Sequence, residues 1–216
     1  MSHSKLTDLY QRLLARYGPQ GWWPANGRFE IIVGAILTQN TNWTNVEKAL
    51  INLKNAGCLT PCQLYALDVP SLAELIRPAG YFNIKTQRLR HFLQWLLDRF
   101  DGDLDAVGQL STHHLREQLL AIKGIGPETA DSICLYAFEK PVFVVDAYTA
   151  RILGRHGMIW PEAGYEEIRE YFEGSLERNA RLYNEFHALL VRLGKEHCKP
   201  KPRCGGCPIE DWPHSL

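Results

Sequence analysis

Three groups of residues in this 216-residue chain have types and spacings that could do chemistry. The first is the turn Lys123, Gly124, Ile125, Gly126, Pro127, set between two stretches of helical periodicity. Glycines reach backbone conformations closed to other residues and let a bulky ligand approach. Pro127 suits a first helical position, where its missing N–H costs nothing. The pattern predicts a tight helical hairpin whose outward N–H groups, at a helix N-terminus, favour a phosphate. Downstream, Asp146 follows the short apolar run Val142–Val145 and precedes another helix, which is where an N-cap would stand. The second group is Cys198, Cys204 and Cys207. In an intracellular protein, this crowding reads as metal or cluster ligation rather than disulfides. Cys58, Cys62 and Cys134 lie in apolar, helical contexts and read as structural, Cys58 and Cys62 at helix-like spacing. The third group is aromatic: the adjacent Trp22 and Trp23 before Pro24, and Trp43. A single tryptophan is more often core filling. An adjacent pair is harder to explain as packing, because neighbouring side chains on a helix or strand diverge.

The elements that must position these groups are helical. Leu6, Leu9, Tyr10, Leu13, Leu14 and Tyr17 recur at helical spacing, and Gly18-Pro19 ends that helix. Phe29–Leu37 is nearly all apolar, which predicts a helix buried on all sides. Further helices are expected at about 44–55, 61–67, 71–77, 84–100, 147–156, 163–174 and 180–194. Ser71 and Glu74 have the spacing of a capping box, and Ser111 or Thr112 caps the first hairpin helix. No segment alternates convincingly, and Val142–Val145 is too short to build a sheet. The fold class is therefore all-α, with no internal repeat.

Composition bounds the rest. The hydrophobic fraction of 45% is that of a globular protein. No apolar run could span a bilayer and no signal peptide is visible, so a soluble, cytoplasmic protein is expected. Lysine plus arginine total 24 and aspartate plus glutamate total 24, a balance that gives no support to nucleic-acid binding. Any positive surface must be local, as in the clusters Lys85, Arg88, Arg90 and Lys195, Lys199, Lys201, Arg203.

The hairpin, the Val145-Asp146 pair and the cysteines together resemble the helix-hairpin-helix DNA glycosylases of the endonuclease III family. The resemblance implies two helical domains with a cleft between them. One is a six-helix block at 21–134; the other joins 1–20 to 135–216 and ends in an iron–sulfur-type loop at 198–214. It implies a monomer acting on double-stranded DNA with damaged bases, associated with the nucleoid of a prokaryotic-type cell. Lys123, Gly124, Ile125 and Gly126 would grip the DNA backbone, and Asp146 would be catalytic. A fixed carboxylate stabilises the oxocarbenium-like sugar left when an N-glycosidic bond breaks, and can orient water. Endonuclease III itself carries a lysine nucleophile just after the hairpin. Here Glu128 follows Pro127, and a carboxylate cannot form the imine, which points to a glycosylase without lyase activity. Trp22, Trp23, Pro24 and Trp43 are similar to the base-pocket residues of a branch of the family that excises 3-methyladenine. Such a purine is a cation, which electron-rich rings hold by about 0.5–2 kcal/mol each. Its charge also makes it a good leaving group. Gln39 would fill the gap left by the flipped nucleotide, and Tyr81 would wedge into the opposite strand.

The cysteines resemble the [4Fe–4S] loop of endonuclease III, which uses four. Here the first gap is one residue shorter and Pro213 stands at the fourth position. His214 could supply the missing ligand, zinc would also suit three thiolates and an imidazole, and absence of any metal is a further option. Two other functions remain open from sequence: a glycosylase for oxidised pyrimidines or mismatched thymine or uracil, and a non-catalytic DNA-binding module.

Overall fold

The computed structural model describes residues 5–23, 25 and 27–215. In chain order the helices are α1 (Lys5–Tyr17), α2 (Arg28–Leu37), α3 (Trp43–Asn55), α4 (Pro61–Ala66), α5 (Val69–Leu75), α6 (Phe82–Phe100), α7 (Leu104–Gly108), α8 (Thr112–Leu120), α9 (Pro127–Ser132), α10 (Ala147–Arg155), α11 (Tyr165–Ser175) and α12 (Ala180–Glu196). A 3-10 turn spans Arg77–Ala79, and a π-type turn, Ile133–Ala137, continues α9. No strand occurs among the described residues, so the all-α expectation holds. The chain parts into two compact units, residues 25–138 and residues 1–24 with 139–216.

In the 25–138 unit, α2 is the centre. It packs on α3, α6, α9 and the π-type turn. Phe29, Ile32, Val33, Ala35, Ile36 and Leu37 are all buried, as a helix without a polar face requires. Glu30 is buried on the same helix, and Lys54 of α3 reaches it at 2.6 Å. An unpaired carboxylate there would be costly. α3 contributes Val46, Ala49, Leu50 and Leu53; α6 contributes Leu89, Phe92, Leu93 and Leu96.

Three sequence expectations need correction in this unit. Ser71 and Glu74 do not form a capping box: Asp68 caps α5, accepting from the Ser71 N–H at 2.8 Å and pairing with the Ser71 hydroxyl at 2.8 Å. Lys85 is not part of a surface basic cluster. It is 1% exposed, and its ammonium donates to the carbonyls of Leu37 at 2.8 Å and Ala79 at 2.7 Å. Both carbonyls end helical turns, where acceptors lack intrahelical partners. Burial pushes its pKa down to about 8. Cys58 lies in the loop before α4 and only Cys62 is on that helix, where it is exposed rather than packed.

In the other unit, α12 is the spine, with α10 and α1 packed along it. Leu6, Leu9 and Leu13 of α1 are fully buried, as are Tyr183, Phe186, Leu189, Leu190 and Leu193 of α12. The run Val142–Val145 is buried and neither helical nor paired in a strand. Phe143 stacks on Phe172 of α11, centroids 3.7 Å apart. The Phe143 N–H donates to Glu173 at 2.9 Å and the Val145 N–H to the Tyr165 hydroxyl at 3.4 Å. Side chains of α11 thus satisfy donors that a sheet would otherwise have taken. This run delivers the chain to Asp146.

Candidate active site and DNA-contact elements

Asp146 caps α10 with one carboxylate oxygen. Oδ1 accepts from the Thr149 N–H at 2.8 Å and the Thr149 hydroxyl at 2.9 Å. Oδ2 lies 3.6 Å from Nε2 of His187 on α12. The Asp146 side chain is 13% exposed, so it is sheltered but reachable from solvent. Burial alone would raise its pKa; His187 and the Thr149 hydrogen bonds outweigh that and hold it below the usual carboxylate value. The group is therefore an anion at neutral pH, with one oxygen anchored and the other available to a developing positive charge.

The hairpin forms between α8 and α9. Ser111 caps α8 by accepting from the His114 N–H at 3.2 Å. Asp131 of α9 is fully buried and takes two bonds from Arg116 of α8, at 2.6 and 3.2 Å. Such a bidentate pair fixes orientation as well as contact. Ile125 plugs inward at 5% exposure, while Lys123, Gly124 and Gly126 are exposed. The Lys123 carbonyl is engaged by Nδ1 of His91 on α6 at 3.0 Å.

The two glycines do not share one reason, as the sequence suggested. Gly124 has φ +93, and a Cβ there would stand 2.5 Å from Cγ of Arg88. Gly126 has φ −95, open to any residue, and a Cβ on it would meet nothing within 4 Å. Its surroundings leave room for a ligand to approach. Glu128, at the position of the family's lyase lysine, is exposed in the first turn of α9.

Gln39 lies just beyond the end of α2 and is tied to the hairpin. Its amide N–H donates to the Thr129 hydroxyl at 2.8 Å and the Gly124 carbonyl at 3.2 Å, and its carbonyl accepts from Arg88. Arg88 was seen in the sequence only as part of a basic cluster. Its contact with Gln39 and its packing over Gly124 join segments far apart in the chain, which no local pattern reports. Tyr81 precedes α6 in the left-handed conformation, φ 48, and is 69% exposed.

Trp22 and Trp23 meet edge to face, with centroids 5.7 Å apart and planes at 77°. Both are half-buried. The Lys195 ammonium lies 5.8 Å from the Trp22 ring centre, in reach of a cation–π contact. Trp43 opens α3, capped by Asn42, and belongs to the other unit. Pro24 lies outside the described residues.

Cys198, Cys204, Cys207 and His214 line one cavity. His214 Nε2 is 3.8 Å from the Cys204 sulfur, and its Nδ1 is 2.8 Å from the Trp212 carbonyl. A carbonyl on one ring nitrogen leaves the other free to ligate, the usual arrangement of a metal-binding imidazole. Arg155 donates to the Cys198 sulfur at 3.3 Å. Burial, foremost, raises the Cys207 thiol above its ordinary value. Among the described residues, no three Cys, His, Asp or Glu converge closely enough to define a metal site. The donors fit a thiolate-bound group in kind and share a cavity, without being drawn in to coordination distances.

This fold and these elements define a class. A sequence model of the HhH-GPD superfamily of base excision DNA repair proteins matches residues 33–178. A Methanocaldococcus jannaschii protein, provisionally named a DNA repair glycosylase, is 45% identical over 206 residues, 94% of this chain and 93% of that one. The endonuclease III of Sulfolobus acidocaldarius is 31% identical over 186 residues, 85% of this chain and 80% of that one. The crystal structure of the H. pylori 3-methyladenine DNA glycosylase bound to 1,N6-ethenoadenine superposes with a TM-score of 0.76 at 31% identity, covering 89% of this chain and 98% of that one. An endonuclease III in a non-covalent DNA complex shares the fold, with a TM-score of 0.84, 19% identity and 98% and 95% of the two chains covered. The chain belongs to the HhH-GPD superfamily and is a DNA glycosylase of base excision repair. No helix among the described residues is long and apolar enough to cross a membrane.

Proposed function

We propose that the protein is a monofunctional glycosylase for alkylated, cationic purines such as 3-methyladenine in duplex DNA. The observation that carries this reading is the pairing of an anchored anion at Asp146 with a carboxylate, Glu128, where a lyase would need an amine. Asp146 Oδ2 faces the sugar as its bond to the base breaks and stabilises the positive charge that forms there. Water then completes the hydrolysis and leaves an abasic site. A charged base departs without a strong general acid, so the carboxylate anion suffices.

Trp22 and Trp23, which meet edge to face, are stacking side chains for the base. The likeness to the H. pylori 3-methyladenine glycosylase, bound to a modified adenine, supports a purine substrate. Lys123–Gly126 hold a DNA phosphate, with the space around Gly126 admitting it. Tyr81, exposed and fixed by its backbone, is the wedge; Gln39 fills the vacated position once released from Arg88 and Thr129. A group in the C-terminal loop would be held by Cys198, Cys204, Cys207 and His214, and would cross-link that loop without taking part in base release.

The test is base release from duplexes bearing one 3-methyladenine, 1,N6-ethenoadenine, oxidised pyrimidine, or uracil or thymine mismatch, each with and without later alkali. Release from the alkylated purines, with strand cleavage only after alkali, is expected. Strand cleavage without alkali would overturn the monofunctional assignment. Preference for the pyrimidines would favour the second reading, for which the equal 31% identity to an endonuclease III speaks.

A further inference from the structure

We propose that His187 is the positioning residue of the reaction: from α12 it fixes Oδ2 of Asp146, the carboxylate oxygen left for the substrate. The inference rests on the catalytic reading of Asp146 above. Its basis is an asymmetry in how the two oxygens are held. Oδ1 takes both Thr149 donors, backbone N–H and hydroxyl, so it belongs to the cap of α10. Those bonds fix one end of the carboxylate but leave rotation and solvation of the other to be settled. His187 settles it, with Nε2 3.6 Å from Oδ2 and both side chains sheltered, at 7% and 13% exposure.

The histidine is itself rigid. It sits on the buried face of α12, next to Phe186 and Ala188, at 5% residue exposure. α10 and α12 are packed so closely that a Cβ on Gly194 would lie 2.3 Å from the ring of Tyr148. Asp146, at the start of α10, and His187, on α12, are thus held by the same helix pair. Nε2 stands 3.6 Å from Oδ2, at ion-pair rather than hydrogen-bond distance, so the imidazole steadies the carboxylate's negative charge through space. As the sugar becomes cationic, Oδ2 needs no reorientation, which is the condition for electrostatic catalysis.

Other ionisable groups near this carboxylate are engaged differently. Tyr165 of α11 accepts from the Val145 N–H, and Arg151 of α10 donates to the Cys198 carbonyl at 2.7 Å and lies over the Tyr148 ring. Of the groups packed around Asp146, His187 and Thr149 are those that set its charge state. Sequence alone hides His187, a histidine on an apolar helix face, where such residues usually serve packing.

The experiment follows the Asp146 carboxyl directly, by carbon NMR titration of the full-length protein. It compares wild type with His187→Leu and His187→Gln. His187→Phe, which keeps ring volume, stands beside leucine should that variant fail to fold. In the apolar variants the Asp146 carboxyl is expected to titrate about one pH unit or more higher, because burial is no longer opposed by the histidine. Glutamine, which restores a donor, returns it toward wild type. Single-turnover release of 3-methyladenine follows: the acid limb of the pH–rate profile moves up by the same amount in His187→Leu. Its rate at neutral pH falls on the order of tenfold with KM unchanged, and His187→Gln recovers most of the loss. Identical carboxyl titration in wild type and the apolar variants would overturn the proposal. So would a loss shared equally by leucine and glutamine with no change in the acid limb, since that is a packing effect. Full turnover by Asp146→Asn would instead sink the catalytic reading of Asp146, and the carboxyl titration would still decide the His187 contact.

Discussion

At the scale of single residues, the chemistry reduces to the anion at Asp146 and the cation beside the Trp22 ring. Asp146→Asn keeps the side-chain oxygen that caps α10, so the fold should persist while the charge is lost. We expect duplex binding within about twofold of wild type and turnover reduced by on the order of a hundredfold or more. Single-turnover base release, with binding measured separately, checks both parts. Lys195 makes a finer prediction. Its exposed ammonium already lies 5.8 Å from the centre of the Trp22 ring, where a cationic purine would compete with it. Surface cation–π contacts are worth about 0.5–1 kcal/mol. Lys195→Met should therefore lower KM for 3-methyladenine about two- to fivefold and leave that for the neutral 1,N6-ethenoadenine unimproved. An equal gain for both bases would show that Lys195 does not compete through its charge.

At the scale of elements, two helix contacts position the site, and each has a measurable signature. Gly194 of α12 seats Tyr148 of α10 so closely that Gly194→Ala must move the side chain from its Cβ outward, with that atom only 2.7 Å away. Overpacking of this kind costs about 1–3 kcal/mol. Urea unfolding should show that loss in Gly194→Ala and a much smaller one when Tyr148→Ala is already present. In the 25–138 unit, Lys85 ties the end of α2 to the turn before α6, and so holds the bases of the loops bearing Gln39 and Tyr81. Its folded pKa of about 8 lies below the ordinary lysine value of 10.5, so between these values the unfolded chain binds more protons than the folded one. Stability from this group therefore rises with pH across that window and is flat below it. Lys85→Met leaves two buried carbonyls without a donor, costing about 1–3 kcal/mol at pH 7. The gap between wild type and variant should widen from pH 8 to pH 10.5; a constant gap would contradict the buried-ammonium assignment. The helices themselves were legible, because α2, α6 and α12 declare their apolar periodicity. Asp146 and the hairpin were legible because caps and Gly-Pro turns are local signals. Lys85, Arg88 and His187 were not, since their roles arise only when segments distant in sequence meet. The same holds for the cap of α5, where Asp68 captured a helix start that the Ser71 and Glu74 spacing also fitted.

At the scale of the whole molecule, the formal charge is +0, with 24 basic and 24 acidic side chains. The protein nevertheless belongs to a superfamily that repairs DNA, and solved relatives of its fold are held in DNA complexes. A neutral chain gains nothing from its overall charge when meeting a polyanion, so affinity must come from few phosphate contacts placed on exposed elements. The salt dependence of binding measures their number: each neutralised phosphate contributes about −0.9 to the slope of log K against log salt. We expect a shallow slope, on the order of −3 to −5, in place of the steep dependence of proteins making 6–10 such contacts. Lys123 is the exposed cation of the hairpin, its carbonyl engaged by His91 so that the turn is fixed beneath it. Lys123→Ala should weaken binding to damaged and undamaged duplexes alike and flatten the slope by about one contact. Fluorescence anisotropy from 25 to 300 mM salt on both duplexes separates this from a lesion-specific role. A loss confined to the damaged duplex, or an unchanged slope, would remove the hairpin from the phosphate-binding surface and leave it a structural turn between α8 and α9.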